Sequence, residues 1–160
     1  MMDDPLLIHL NVPFEFRAQP TPLAGDLRIS WRIALLLLIL LHSRAQKASL
    51  QKLHVLNWAS RTEETRRLFF HFVRGTIDKD ELVPRIEPSM NRAVDFALGE
   101  GLVRVENGKN LKLTASGLDA ARQIDQAEDC LTAEKSFVHA MRTFFTERNI
   151  GDLLSWNLTI

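Results

Sequence analysis

The stretch PSMNRAVDFALGEGLVRVENGKNLKLT, residues 88–114, decides the fold. Pro88 suits the first turn of a helix, and an apolar stripe at helical spacing follows it. The stripe consists of Met90, Ala93, Val94, Ala97 and Leu98. Two glycines then end the helix, and Asn-Gly at 107–108 between two alternating segments is the strongest short-range signal of a hairpin. The stretch therefore predicts a helix followed by a β-hairpin over residues 103–113.

Helical patterns precede this stretch. Residues from Ser30 to His42 are apolar on nearly every side, which a helix tolerates only when it is surrounded, so this helix should be the centre of the fold. Ser49 can cap a second helix. Ser60 and Glu63 have the spacing of a capping box and predict the start of a third. Residues 76–87 are charged and contain a proline, which indicates a loop or a single turn.

Further helical patterns follow the hairpin. Thr114 can cap the next helix. A last amphipathic helix is predicted over about residues 132–148, with four large apolar side chains on one face. These are Phe137, Met141, Phe144 and Phe145. The sequence therefore predicts a mainly α fold with a small β-hairpin wing, that is, a winged helix-turn-helix domain with an N-terminal extended arm and a C-terminal helix.

The division along the chain follows from these patterns. Residues 1–29 are predicted to form an N-terminal arm or strand, residues 30–125 the winged-helix domain, and residues 126–160 a C-terminal helix with an apolar tail. The arm is predicted because apolar residues recur at every second position, the period of a strand with one buried face. They are Leu6, Ile8, Leu10, Val12, Phe14 and Phe16.

The arm and the tail are the candidate partner-binding surfaces. The tail candidates are Leu153, Leu154 and Trp156. An alternating strand can add to the sheet of another chain, and an apolar terminus can pack on a partner. Both segments can equally pack on their own domain, because periodicity shows that a face is buried and does not show in which chain.

Charge limits the functions that the chain can have. Its 20 basic and 20 acidic residues cancel, which excludes the strongly basic composition of a protein that coats nucleic acid. Between residues 84 and 114, five basic residues stand against four acidic ones. Asn91 and Arg92 are candidates for base contacts, and Lys109 and Lys112 are candidates for phosphate contacts. Asp95 on the same helix face opposes DNA binding.

A second basic segment lies earlier in the chain. Residues 27–62 contain six basic side chains and no carboxylate. Arg44, Lys47 and Lys52 in this segment are therefore further candidates for DNA contact. The alternative is that they are solvated faces of helices, since charge runs usually carry no site.

The sequence shows no pattern of an enzyme or of a metal site. The five histidines lack metal-ligand spacing, and Cys130 has no second cysteine near it. Neighbouring Glu128 and Asp129 disfavour a Cys130 thiolate. We therefore expect no catalysis, no cofactor and no metal.

The longest apolar run, Ile33 to Leu41, has nine residues, about half of a membrane span. Asp3 and Asp4 stand where a secretory signal carries basic residues. We therefore expect a cytoplasmic protein without a membrane partner.

Three segments resemble a known family. PSMNRAVDFALGEGLV at 88–103, LKLTASG at 111–117 and LHVLNWA at 53–59 resemble the winged-helix middle component of bacterial ABC three-component systems, the Lamassu-type anti-phage operons. The resemblance covers residues 30–125. It implies a small non-enzymatic subunit, with no catalytic residues, cofactor or small-molecule substrate. Its implied partners are an SMC-like ABC ATPase and an effector, often a nuclease, and it would couple DNA sensing by the ATPase to control of the effector.

A second family remains open at this point. Leu-Thr-x-x-Gly after a wing, at residues 113–117, also occurs in MarR-like and PadR-like regulators. Such a regulator would bind operator DNA as a dimer. The near-neutral charge of residues 84–114 fits an adaptor better than a repressor, because phosphate neutralisation supplies most of the affinity for DNA.

Overall fold

The computed structural model of the chain describes residues 25–154, with side chains from 29 to 153. This part of the chain contains seven α-helices, a three-stranded antiparallel sheet and two short 3-10 turns. The helices are α1 (Gly25–Leu41), α2 (Leu50–Ser60), α3 (Glu63–Val73), α4 (Pro88–Gly99), α5 (Ala115–Gln126), α6 (Thr132–Met141) and α7 (Glu147–Leu154). The strands are β1 (Lys47–Ser49), β2 (Val103–Glu106) and β3 (Asn110–Leu113), and the 3-10 turns are Arg44–Gln46 and Lys79–Glu81. The mainly helical fold with a small β element is confirmed.

Helix α1 is the central helix, as predicted. All six residues from 35 to 40 are at most 2% exposed, and the helix packs chiefly against α4 and α5. It begins at Gly25, earlier than predicted, so residues 25–29 belong to this helix and not to an extended arm. An apolar pattern reports only the surrounded part of a helix, and the first turn carries no such pattern.

The starts of α2 and α3 test the predicted caps. The Ser49 hydroxyl accepts a hydrogen bond from the Lys52 amide, which confirms the cap of α2. The capping box of α3 is formed by Thr62 and Thr65, two residues after the predicted start. Ser60 belongs to the last turn of α2, where its hydroxyl donates to the Leu56 carbonyl at 2.6 Å. Because its hydroxyl is bound within α2, Ser60 does not cap α3.

Helix α4 and the hairpin form as predicted. Pro88 occupies the first turn of α4, and the apolar stripe faces inward, with Met90, Ala93, Val94 and Ala97 buried. Asn107 and Gly108 both have positive φ, 55° and 70°, and with Lys109 they form the three-residue loop between the two strands. Strands β2 and β3 pair in antiparallel register from Val103↔Leu113 to Glu106↔Asn110.

Strand β1 adds a third strand that the sequence did not indicate. It pairs antiparallel with β3, with Ala48 opposite Leu111, and the strand order is β1-β3-β2. Its central residue Ala48 is 1% exposed. The hairpin is therefore anchored on one side by the segment that joins α1 to α2.

Glu87 fixes the start of α4. Its carboxylate accepts hydrogen bonds from Arg32 on α1 at 3.0 Å, from Asn57 on α2 at 3.4 Å and from Arg61 just after α2. The carboxylate side chain is only 13% exposed. Charge-assisted bonds of this kind are stronger than neutral ones, so α1 and the C-terminal part of α2 hold the start of α4 in place.

The start of α5 closes the hairpin. Thr114 caps α5 by accepting from the Gly117 amide, and its own amide donates to the Leu102 carbonyl at 3.0 Å. A Cβ atom at Gly117 would lie 1.8 Å from that carbonyl oxygen. Glycine at this position therefore permits the close approach of α5 to the residue that precedes β2.

The C-terminal segment contains two helices, where one over 132–148 was predicted. Helix α6 ends at Met141, and the Thr146 hydroxyl accepts from the Asn149 amide at the start of α7. The apolar pattern did not reveal the break because Phe144 and Phe145 continue the stripe through it. Phe137, Phe144 and Phe145 all pack around Phe69 of α3, with ring centroids 5.8 Å from it.

Several predictions fall outside the described residues or side chains. The arm residues Leu6 to Phe16 and the tail residue Trp156 lie outside residues 25–154, and Leu154 lies at the end of α7 without a described side chain. Leu153 is 4% exposed and belongs to the chain's own core. Among the described residues, no helix is both long enough and apolar enough to cross a bilayer.

Candidate partner and phosphate interfaces

The outward side of α4 is the first candidate surface. We call Asn91, Arg92, Asp95 and Phe96 the α4 face; all four are exposed. Phe96 is 53% exposed, the highest value for an apolar residue on this helix. Arg92 stands three residues before Asp95, so their charges cancel locally. The Asn91 side chain already pairs with His54, with its Oδ1 2.9 Å from the His54 Nε2.

The hairpin beside α4 presents few free cations. Lys47 and Lys112 both donate to the Glu106 carboxylate, at 2.8 and 3.1 Å. These two hydrogen bonds lower the pKa of Glu106 below its usual value. Lys109 is exposed near the turn, and Val105 on β2 is 55% exposed. Of the two predicted phosphate contacts on the hairpin, Lys112 is therefore engaged within the sheet and Lys109 faces solvent.

The remaining predicted cations converge on one cavity. We call this the basic cavity: it has a volume of about 600 Å³ and is lined by five basic side chains and one carboxylate. These are Arg44, Lys47, Lys52, Arg142, Arg148 and Glu147. The sequence indicated the first three, but Arg142 lies 90 residues after Lys52, and no spacing pattern joins them.

Lys52 is the buried member of this cavity. The residue is only 2% exposed, yet its ammonium makes no hydrogen bond or ion pair with any residue of the described part of the chain. Burial lowers the pKa of Lys52, and the nearby Glu147 charge partly opposes that shift. Glu147 itself accepts a hydrogen bond from the Ser49 amide at 3.1 Å.

The turn that carries Arg44 has an unusual backbone. Ala45 and Gln46 have φ values of 57° and 56°, in the left-handed region that disfavours residues with a Cβ. The cost is about 1–2 kcal/mol for each such residue. Strained backbone of this kind concentrates at functional sites. The turn directs the chain from α1 into β1, directly beside the basic cavity.

Two histidines and one aspartate form a separate polar cluster. The Nε2 atoms of His42 and His139 lie 3.1 and 2.9 Å from Oδ1 of Asp125. Burial acts to raise the pKa of Asp125, but the hydrogen bonds from His139 and His42 outweigh it and hold the pKa below its usual value. Sequence spacing did not reveal the cluster because its members come from the end of α1, from α5 and from α6.

The two imidazoles and the carboxylate of this cluster are groups that can hold a metal ion. Its three ligand atoms all lie within 4.8 Å of one another. Two imidazoles and a carboxylate form the ligand set of several catalytic zinc sites. The cluster therefore provides three ligands that can converge on one ion.

Comparison with protein-family models, with curated proteins and with solved structures finds no match to this chain.

Proposed function

We propose that the chain is a non-catalytic adaptor subunit that links an SMC-like ABC ATPase to an effector in an anti-phage defence complex. Residues 30–125 would form its winged helix-turn-helix domain. The order α1, β1, α2, α4, β2, β3 and the strand order β1-β3-β2 support this fold. The extra helix α3 and a turn stand between α2 and α4, where a helix-turn-helix has a turn of three or four residues.

The single observation that carries the proposal is the composition of the α4 face. In a DNA-binding winged helix, the helix before the wing enters the major groove and needs basic side chains. Here Phe96 is 53% exposed on that helix, and Arg92 is opposed by Asp95. Burial of an exposed aromatic ring against a protein partner stabilises the complex. Aromatic residues are also enriched at protein interfaces.

The test is co-expression with the products of the neighbouring genes in the native host. Phe96→Asp should abolish recovery of the ATPase with this chain, because a carboxylate would then be buried at the interface. Val83→Asp is the matched control: Val83 is 65% exposed and lies outside α4, so this variant should assemble normally. Both variants should keep the melting temperature of the parent, because both side chains are exposed.

The opposite result identifies a different function. If the purified chain ignores those gene products and instead binds a palindromic duplex as a dimer, it is a regulator of the MarR or PadR type. In that case affinity should fall steeply with salt and should depend on Arg92 and Lys109.

A further inference from the structure

We propose that the basic cavity binds the phosphate groups of a nucleotide, either free or within a nucleic acid strand. This proposal does not depend on the adaptor function. It rests on the convergence of five basic side chains around a cavity of about 600 Å³. The most buried of them, Lys52, makes no direct hydrogen bond with a described residue and is opposed by the nearby charge of Glu147. The volume of the cavity is typical of a small-molecule site.

Lys52 is the most buried basic residue on the lining of the cavity. Removing an ammonium from water costs free energy, and a nearby negative charge offsets part of that cost. Lys52 lines the cavity while being 2% exposed, so an anion in the cavity would meet its ammonium with little water between them. Bound phosphate would therefore add a second negative charge, beside that of Glu147, to an ammonium that is already partly desolvated.

The other cations come from two parts of the chain that meet at the cavity. Arg44 and Lys47 come from the segment between α1 and α2, whereas Arg142 and Arg148 come from the end of α6 and the start of α7. A guanidinium binds two phosphate oxygens at once, and an ammonium acts as a point charge. Lys52 and Arg148 also lie in the first turns of α2 and α7, where the helix dipole favours an anion.

Glu147 is the opposing charge on the described lining. Its Oε1 is engaged by the Ser49 amide at 3.1 Å, so it also serves the N-terminal end of α2. Because Lys47 is paired with Glu106, four cations of the lining stand against the carboxylate of Glu147, and the lining is positive. The strained pair Ala45 and Gln46 beside Arg44 is a second sign of a functional site.

The first experiment compares two double variants that remove the same charge. Binding of a fluorescent single-stranded dT12 to the full chain is measured by anisotropy over a range of salt concentrations. Arg44→Ala with Arg148→Ala should weaken binding at least tenfold at low salt and reduce the salt slope by about 0.7 for each phosphate that the variant no longer neutralises. Arg92→Ala with Lys109→Ala is the control and should change affinity less than twofold. Equal weakening in both variants would overturn the proposal.

Lys52→Met separates a ligand-binding lysine from a structural one. The apolar side chain has similar length and needs no partner, so the free chain should melt at a higher temperature while phosphate binding weakens. A lower melting temperature with unchanged phosphate binding would show that Lys52 serves only the fold and would overturn its assigned role.

Competition identifies the source of the phosphate. If ADP displaces dT12 from the parent chain and loses its affinity in the Arg44→Ala, Arg148→Ala variant, the ligand is a free nucleotide. If only oligonucleotides compete, the ligand is a nucleic acid strand. If inorganic phosphate, ADP and oligonucleotides all fail to bind the parent chain, the cavity is not a phosphate site.

The His42, Asp125 and His139 cluster carries a second inference independently. We infer that it binds one divalent transition metal ion of the zinc type. Ligands about 2.0–2.2 Å from a tetrahedral zinc lie about 3.4 Å from one another. The two His–Asp separations of 3.1 and 2.9 Å need to grow by a few tenths of an ångström, and the two histidine nitrogens lie within 4.8 Å of each other.

The surroundings of the cluster suit such an ion. The imidazole rings of His42 and His139 lie with their centroids 4.3 Å apart, and His139 is half-exposed, so an ion can enter from solvent. Imidazole and carboxylate together favour zinc over magnesium or calcium. A bound ion would join α1, α5 and α6 and leave its fourth position for water.

The test uses the full chain without a polyhistidine tag. Titration calorimetry should give one Zn²⁺ per chain, and Co²⁺ should give the absorption of a tetrahedral complex. His139→Gln should weaken Zn²⁺ binding at least about 100-fold, because even outer-shell partners are worth 10–100-fold. His71→Gln, at an exposed histidine on α3, is the control. Equal Zn²⁺ affinity in the parent and His139→Gln would overturn the inference.

Discussion

The α4 face and the basic cavity differ in their charge and in the apolar area that they expose. The α4 face exposes Phe96, and its Arg92 stands three residues before the opposite charge of Asp95. The basic cavity holds the concentrated positive charge, and it lies where α2, β1 and α7 begin. The comparison shows that the exposed apolar area and the concentrated positive charge lie on different parts of the fold.

The largest expected effect comes from separating the hairpin from α5. Gly117→Ala should destabilise the chain by about 3 kcal/mol, because its Cβ would lie 1.8 Å from the Leu102 carbonyl oxygen and the backbone would have to shift. Alanine normally stabilises a helix relative to glycine, so a loss of stability in this variant would be the opposite of the usual effect.

The control for that variant is Gly151→Ala. Gly151 lies in α7 with nothing near the position of a Cβ, so the substitution should stabilise by about 0.5–1 kcal/mol. Urea unfolding measures the free energy of unfolding of both variants, which should fall for Gly117→Ala and rise for Gly151→Ala. A neutral Gly117→Ala would mean that the close approach of α5 to Leu102 does not hold the hairpin in place.

The next effect concerns the anchoring of α4. Glu87→Gln should destabilise by about 2 kcal/mol, because it removes the charge that Arg32 and Arg61 share at a site that is only 13% exposed. Glu100→Gln, exposed at the other end of α4, should change stability by less than about 0.5 kcal/mol. If the two variants melt alike, Glu87 does not position the α4 face.

A smaller effect of opposite sign is expected beside the basic cavity. Ala45→Gly should stabilise by about 1 kcal/mol, because glycine adopts a φ of 57° without steric cost. If the turn serves phosphate binding, the more flexible glycine should also weaken binding of dT12 slightly. A destabilised variant would contradict the strained backbone assigned to this turn.

The smallest effect concerns Glu106, which pairs with Lys47 of the basic cavity and with Lys112 of the hairpin. Lys47 and Lys112 lower its pKa below the usual value of 4.5, so its stabilising contribution is present above about pH 4.5 and is lost as pH falls through the lowered pKa. The melting temperature of the parent should therefore fall more steeply than that of Glu106→Gln as the pH is lowered below 4.5. Parallel curves would contradict the ion pairs. At neutral pH, Glu106→Gln should also increase affinity for nucleic acid, since it frees both lysines.

Local signals in the sequence were sufficient for much of the fold. Pro88, the stripe of α4 and Asn107-Gly108 each act within a few residues, and all three were interpreted correctly. Strand β1 was not predicted because three residues carry no periodicity and its partner β3 lies more than 60 residues away. The break before α7 was not predicted because Phe144 and Phe145 continue the apolar pattern of α6. They are apolar because they pack on Phe69, although they lie between the two helices.

The candidate sites were less predictable than the fold. The near-neutral charge around α4 could be counted directly, but the exposure of Phe96 depends on how α4 packs on α1. The basic cavity joins Arg44 to Arg148, and the histidine cluster joins His42 to His139. Such distant residues meet only through the folded core, and their spacing in the sequence has no period.

Hydrogen exchange of α4 in the full chain separates a protein-binding α4 face from a DNA-binding one, when it is measured once with the SMC-like ATPase and once with duplex DNA at physiological salt. We expect the ATPase to slow exchange of the α4 amides and the duplex to leave them unchanged. Protection of α4 by the duplex, with none from the ATPase, would contradict the adaptor function.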